Sequence, residues 1–267
     1  MLTKALQSAL PKKGKLARAM RYSVFAGGKR FRPVLCMAAA KALGKDPKKV
    51  IPIACAIEML HTFTLVHDDL PGMDNSDYRR GKLTCHKKFD EATAILAGDA
   101  LNTLAFKILA RETNNAKVIE EIGKGLMKVV EGQVMDLESE GKKISLKRLK
   151  AIHLSKTAAL LIACVRASAI QLKATKRQLK SLTNYAKHLG LAFQIADDIL
   201  DATSTRKKLG KPVKADIGKG FPYFIGVERS RKLALLEKKK ALAALRIFGR
   251  RADSLRELAE FVVIRKT

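Results

Sequence analysis

The sequence predicts an all-α fold, and three observations carry that reading. Helix breakers are sparse, with 17 glycines and 7 prolines in 267 residues, below the usual combined share of about 12%. Apolar residues recur at helical intervals through residues 55–69, 95–109, 119–137, 146–170 and 179–200. No two alternating runs are joined by Asn-Gly or Asp-Gly, so hairpins are not expected. Breaks at 27–28, 44–47, 71–72, 81, 112–115, 141–143 and 210–222 divide the chain into about ten helices with short connections. No linker or repeat interrupts them, so one domain over 1–267 is the simplest organisation.

Hydrophobic residues make up 47% of the chain, enough for a sizeable core. The longest apolar runs, such as 157–165, reach roughly half of a membrane helix, so no transmembrane segment is expected. Residues 1–15 carry lysines and no apolar stretch, so no secretory signal is expected. Cys36, Cys55, Cys85 and Cys164 are dispersed, with no Cys-x-x-Cys pair. They read as reduced and buried, which suits a cytoplasmic location. Lys and Arg total 53 and Asp and Glu 25, a formal net charge of +28. The basic residues are spread along the whole chain, and neither Trp nor a nucleic-acid motif accompanies them. A nucleic-acid partner is therefore not expected. No basic amphipathic tail marks a membrane-surface protein. The charge suits an anionic substrate and a solvated surface, and the rest of the excess has no explanation.

Acids concentrate in two places. Asp68, Asp69 and Asp74, with Asp77 beyond, form the first cluster; Asp197, Asp198 and Asp201 form the second. At about 100° per residue, Asp197 and Asp201 lie about 40° apart on one helix face, and Gln194 falls within about 20° of Asp201. His61 shares a helix face with Asp68, and Pro71-Gly72 allows a turn that carries Asp74 back toward it. Like charges this close are costly unless cations occupy them, and an all-oxygen donor set suits Mg²⁺.

Cations are interleaved with these acids. Gly27-Gly28-Lys29-Arg30-Phe31-Arg32 sets basic side chains beside two glycines, where backbone can approach an anion. Arg79 and Arg80 follow the first cluster directly. Lys156-Thr157 sits in an apolar helical stretch, where a lysine needs an anion. Lys211 and Lys219 punctuate the segment after the second cluster. Metal-binding carboxylates alternating with cations suit a diphosphate.

These motifs together resemble the trans-isoprenyl diphosphate synthases, in their short-chain farnesyl/geranylgeranyl form of bacterial type. The resemblance runs in order through Met20-Arg21-Tyr22-Ser23, the glycine-lysine-arginine segment to Pro33, and residues 61–74, which carry the first aspartates. It continues through Arg79-Arg80-Gly81, residues 97–101, 132–137 and 156–160, the second aspartate segment at 193–201, and residues 209–211. It implies an isoprenoid-synthase-like bundle around a central cavity, usually a homodimer. It implies three Mg²⁺ ions held by Asp68, Asp74 and Asp197, supported by Asp69, Asp198 and Asp201. Lys29, Arg32, His61 and Arg80 would bind isopentenyl diphosphate. Arg79, Lys156, Gln194, Lys211 and Lys219 would hold the allylic diphosphate, with Thr157 beside the reacting carbon. The implied reaction joins isopentenyl diphosphate to dimethylallyl or geranyl diphosphate and releases diphosphate, which takes the departing proton. Phe63 and Thr64, about one turn before Asp68, are the chain-length positions; the aromatic Phe63 resembles farnesyl-forming members, with the geranylgeranyl product as the alternative. The segment at 216–222 is shorter than the family pattern, which weakens the role given to Lys219.

Two related readings fit less well. A terpene cyclase needs a different second metal motif and lacks the basic segment at 27–33. A regulatory subunit of a heteromeric synthase usually loses one aspartate motif, and both are intact here.

Overall fold

The structure is a computed structural model that describes residues 1–203 and 220–264. Lys211 and Lys219 lie outside the described residues. The chain runs through α1 (Leu2–Ala9), α2 (Lys15–Val24), α3 (Phe31–Ala42) and α4 (Ile51–Asp68). A small hairpin follows, β1 (Tyr78–Arg79) and β2 (Lys82–Leu83), then α5 (Cys85–Lys88), α6 (Glu91–Thr113) and α7 (Ala116–Leu137). Next come α8 (Leu146–His153), a π-helical turn (Leu154–Ala158), α9 (Ala159–Gln171) and α10 (Lys176–Thr203). The chain closes with α11 (Phe221–Ile225), α12 (Val227–Ala244) and α13 (Asp253–Ile264).

Local sequence explains the helix starts. Asp90 accepts the Thr93 amide at 2.7 Å ahead of α6. Asn115 and Ser145 cap α7 and α8 in the same way. The middle of α4 is apolar on all sides, with Ile53, Ile57, Met59 and Leu60 fully buried, as a central helix requires. It packs against α3, α6 and α9, and α10 packs against α9 and α12. The main core joins these helices, and all four cysteines are free and buried.

Three sequence expectations change. A hairpin does form: β1 and β2 pair antiparallel through Arg80 and Gly81, both at positive φ (54° and 75°). The turn uses Arg-Gly where Asn-Gly would have been recognised. The single helix expected over 146–170 is two helices with a π turn between them, a widening that continuous apolar periodicity does not reveal. Three helical stretches, Pro47–Asp68, Glu91–Thr113 and Leu146–Gln171, are also long and apolar enough by composition to cross a membrane. The expectation rested on uninterrupted apolar runs, which polar residues interrupt within these longer helical stretches. Within the fold, 61%, 44% and 61% of their apolar windows are buried.

Glycines set two of the closest approaches. A Cβ on Gly132 of α7 would lie 2.4 Å from the Lys156 backbone nitrogen. A Cβ on Gly190 of α10 would lie 2.5 Å from the Ala158 Cβ. The π turn is thus gripped between α7 and α10, where only glycine leaves room.

Candidate active site

The first aspartate segment is a turn built at the end of α4. The Asp74 amide donates to the Asp68 carbonyl at 2.8 Å, and the Ser76 amide to the Asp69 carbonyl at 3.1 Å. Asn75, at a φ of 48°, lets the chain reverse. Asp74 is therefore returned toward Asp68, as Pro71-Gly72 led one to expect. Burial pushes the Asp68 carboxyl up to about 6; Lys156 opposes that rise and Asp74 adds to it. Asp69 faces the other way. Both its carboxylate oxygens accept from Arg79 Nε, at 2.8 and 2.9 Å, and Oδ1 pairs with Nη2 at 2.7 Å. Asp69 and Arg79, expected to serve the metal and the allylic diphosphate separately, bind each other.

The hairpin sends its two arginines in different directions. While Arg79 meets Asp69, the Arg80 Nη1 donates to the Gly27 carbonyl at 2.6 Å. A Cβ on Gly28 would lie 2.4 Å from that same nitrogen, and the φ of 104° there favours glycine. Arg32 lies beside His61, with Nη1 and Nε2 3.1 Å apart. Burial, then Arg32, Arg80, Arg79 and Arg30, hold the His61 imidazole well below its usual range, so it is neutral at physiological pH. The buried Arg32 Nε finds no hydrogen-bond partner among the described residues. A half-buried guanidinium with a buried, unused donor and Arg80 in its field suits an anion. Arg30 is spent internally on the buried Glu58 and the Val24 carbonyl. The Lys29 ammonium sits 5.0 Å from the centre of the Phe261 ring on α13.

On the opposite wall, the π turn presents Lys156 and Thr157. The Lys156 Nζ donates to Asp136 of α7 at 2.8 Å. Burial opposes the lysine's charge, but Asp136, Asp68 and Asp74 outweigh it and hold the pKa above the usual value. Asp136 had no clear role in the sequence; its partner is 20 residues away on another element. Thr157 donates to the Gln194 side-chain carbonyl at 2.8 Å. Asp197 contributes to the field at Arg32, which ties the second aspartate segment to the basic pocket. Asp201 lies exposed near the end of α10. Asp198 turns inward: its carboxylate accepts from His153 Nε2 at 3.0 Å, from the Phe221 amide at 2.9 Å and from Gln194 at 3.3 Å. His153 carried no functional signal in the sequence, having no ligand spacing. The expected chain-length pair divides. The Phe63 ring packs edge-on against His67, centroids 4.9 Å apart, while the Thr64 hydroxyl turns back to the His61 carbonyl at 2.9 Å.

Among the described residues, no three His, Cys, Asp or Glu side chains converge to hold a metal ion by themselves. The oxygen-only donors at Asp68, Asp74, Asp197 and Asp201 still fit Mg²⁺, which takes one or two carboxylates and draws its other ligands from water and substrate phosphate.

A helical bundle that carries two aspartate segments and a half-buried basic pocket suits an isoprenoid synthase, and solved structures agree. A farnesyl/geranylfarnesyl diphosphate synthase from Zymomonas mobilis superposes with a TM-score of 0.87 at 37% identity, covering 98% of this chain and 94% of that one. The chain belongs to the polyprenyl synthetase family, whose model matches residues 13–262. A geranylgeranyl diphosphate synthase of Cyanophora paradoxa is 44% identical over 258 residues, 92% of this chain and 86% of that protein. A farnesyl diphosphate synthase of Geobacillus stearothermophilus is 50% identical over 211 residues, 76% of this chain and 71% of that protein. The protein is a trans-prenyltransferase acting on diphosphate substrates.

Proposed function

We propose that the enzyme condenses isopentenyl diphosphate with dimethylallyl and geranyl diphosphate to give fifteen-carbon farnesyl diphosphate. The observation that carries the assignment of the two substrates is the buried Arg32 Nε, without a partner among the described residues, beside a neutral His61. It supports a dedicated anion pocket for isopentenyl diphosphate, separate from the aspartate-lined side. Arg32, His61 and Arg80 hold that diphosphate, with Lys29 at the rim. His61 stays neutral and adds no charge, so the arginines fix the phosphate while the apolar tail extends inward.

The allylic diphosphate lies between Asp68 and Asp74 on one side and Lys156, Thr157, Gln194 and Asp197 on the other, with Arg79, Lys211 and Lys219 completing its cations. Mg²⁺, on which this family generally depends, would supply charge neutralisation to the diphosphate when bound. Asp68, Asp74, Asp197 and Asp201 would hold it, as three ions. Asp136 and Asp69 keep Lys156 and Arg79 charged and aimed, so both cations are in place as negative charge grows on the leaving group.

Phe63 supports the shorter product, because the aromatic residue five positions before Asp68 resembles farnesyl-forming members. The domain is read as one unit over 1–267, in the cytoplasm. A homodimer is supported by exposed Met127, Val130 and Val134 along one face of α7, with exposed Ile95 and Leu96 on α6.

Labelled isopentenyl diphosphate incubated with dimethylallyl or geranyl diphosphate, with and without Mg²⁺, tests the reading through chromatography of the dephosphorylated alcohols. A Mg²⁺-dependent farnesol peak, shifted to geranylgeraniol by Phe63→Ala, is expected. Geranylgeraniol from the unmodified protein overturns the product length.

A further inference from the structure

We propose that Asp198 is the hub of an internal latch, not a metal ligand, and that His153 is the positioning residue that holds it. The inference rests on the prenyltransferase reading of the site but reassigns one of the aspartates that the sequence placed at the metal. The Asp198 carboxylate is only 8% exposed. One oxygen, Oδ2, accepts from both the His153 ring and the Phe221 backbone amide; the other, Oδ1, accepts from Gln194. Because a carboxylate only accepts, the Gln194 amide nitrogen must face Asp198, and its carbonyl must face Thr157. The Thr157 hydroxyl then donates to that carbonyl.

The bonds form a closed circuit: His153 to Asp198, Asp198 to Gln194, Gln194 to Thr157. It begins and ends within the 153–157 stretch, with Lys156 enclosed between the two anchor points. It fixes the π turn against α10 and so fixes the direction in which Lys156 leaves the backbone. A third strand of the latch reaches the C-terminal helices. The His153 ring stacks on the Phe221 ring, centroids 5.6 Å apart and 30° between planes. Gly220, at a φ of 98°, turns the Phe221 amide toward Asp198, and a Cβ there would already stand 3.4 Å from its carboxyl. With Oδ2 already accepting two bonds and Oδ1 one, Asp198 has only the remaining lone pair of Oδ1 to offer a metal.

Two variants separate the roles of the His153 ring. His153→Phe keeps a ring to stack on Phe221 and removes the donor; His153→Gln places an amide donor near the position of Nε2. In the full-length protein without substrate, hydrogen exchange at the Phe221 amide is expected to quicken about tenfold or more in His153→Phe and to stay within about threefold of the parent in His153→Gln. The kcat for condensation is expected to follow the same order, with KM for isopentenyl diphosphate unchanged within about twofold, because its pocket lies at Arg32. Equal effects of Phe and Gln, or no change at Phe221 with either, overturn the latch. Titration of Mg²⁺ with inorganic diphosphate tests the metal half. Asp198→Asn is expected to bind within about threefold of the parent and Asp197→Asn more than about tenfold more weakly; weakening by Asp198→Asn to the level of Asp197→Asn overturns it. If the parent shows no condensation, the prenyltransferase reading fails, and the exchange data still decide the latch.

Discussion

The two aspartate pairs, Asp68-Asp69 and Asp197-Asp198, have the same sequence and different surroundings, yet they divide labour alike. Asp68-Asp69 ends a helix and enters a turn braced by a hairpin; Asp197-Asp198 lies inside the continuous helix α10. In each pair the second aspartate is turned into the protein, Asp69 onto Arg79 and Asp198 onto His153, Phe221 and Gln194. A cluster of like charges is better tolerated when one of its members is bound internally. The remaining acids, Asp68 with Asp74 and Asp197 with Asp201, serve substrate chemistry in the proposed reaction. Two adjacent carboxylates can thus take separate roles, one holding the scaffold that points the other.

The largest test of this division is Asp197→Ala. Losing one of the outward aspartates is expected to cut turnover about 10³-fold or more while the thermal midpoint stays put, since several kcal/mol of transition-state stabilisation go with the metal. Near-normal turnover would remove Asp197 from the site. Asp69→Ala should behave in the opposite sense, lowering unfolding stability by about 3 kcal/mol as Arg79 loses its buried partner, read by denaturant titration. Asp68→Asn sharpens the contrast. Burial raises the folded carboxyl from 3.8 to about 6. A carboxyl raised on folding favours the unfolded state progressively as pH climbs through that window, so at pH 7 the charge is a cost. Replacing it by a neutral amide should stabilise the Mg²⁺-free protein by about 1–2 kcal/mol while activity falls. Gly132→Ala must push the π turn away from α7 at a cost of about 1–3 kcal/mol; a calorimetric midpoint unchanged from the parent would show that the turn yields freely.

Much of this was legible in the sequence. Periodicity found the long helices, and the spacing of His61, Asp68 and Gly72 anticipated the returning turn at Asp74. What it could not reach depends on partners far along the chain. Asp198 and His153 are 45 residues apart and Lys156 and Asp136 are 20 apart, so neither pair shares a helix whose periodicity could have linked them. The hairpin escaped because Arg80 adopts a positive φ that sequence rules reserve for asparagine or glycine. The π turn escaped because an extra residue per turn leaves an apolar run apolar.

That turn constrains how this chain can change length. A π turn holds one residue more than an α turn, so removing a residue anywhere in 154–158 would let α8 and α9 join as one regular helix. The join would rotate α8 by about 100° relative to α9, swinging His153 off Asp198 and carrying the inward Leu149 and Ile152 toward solvent. Loops elsewhere can shorten without changing what any helix faces. Here the count of residues is itself the device that sets facing, and a deletion would act as a rotation.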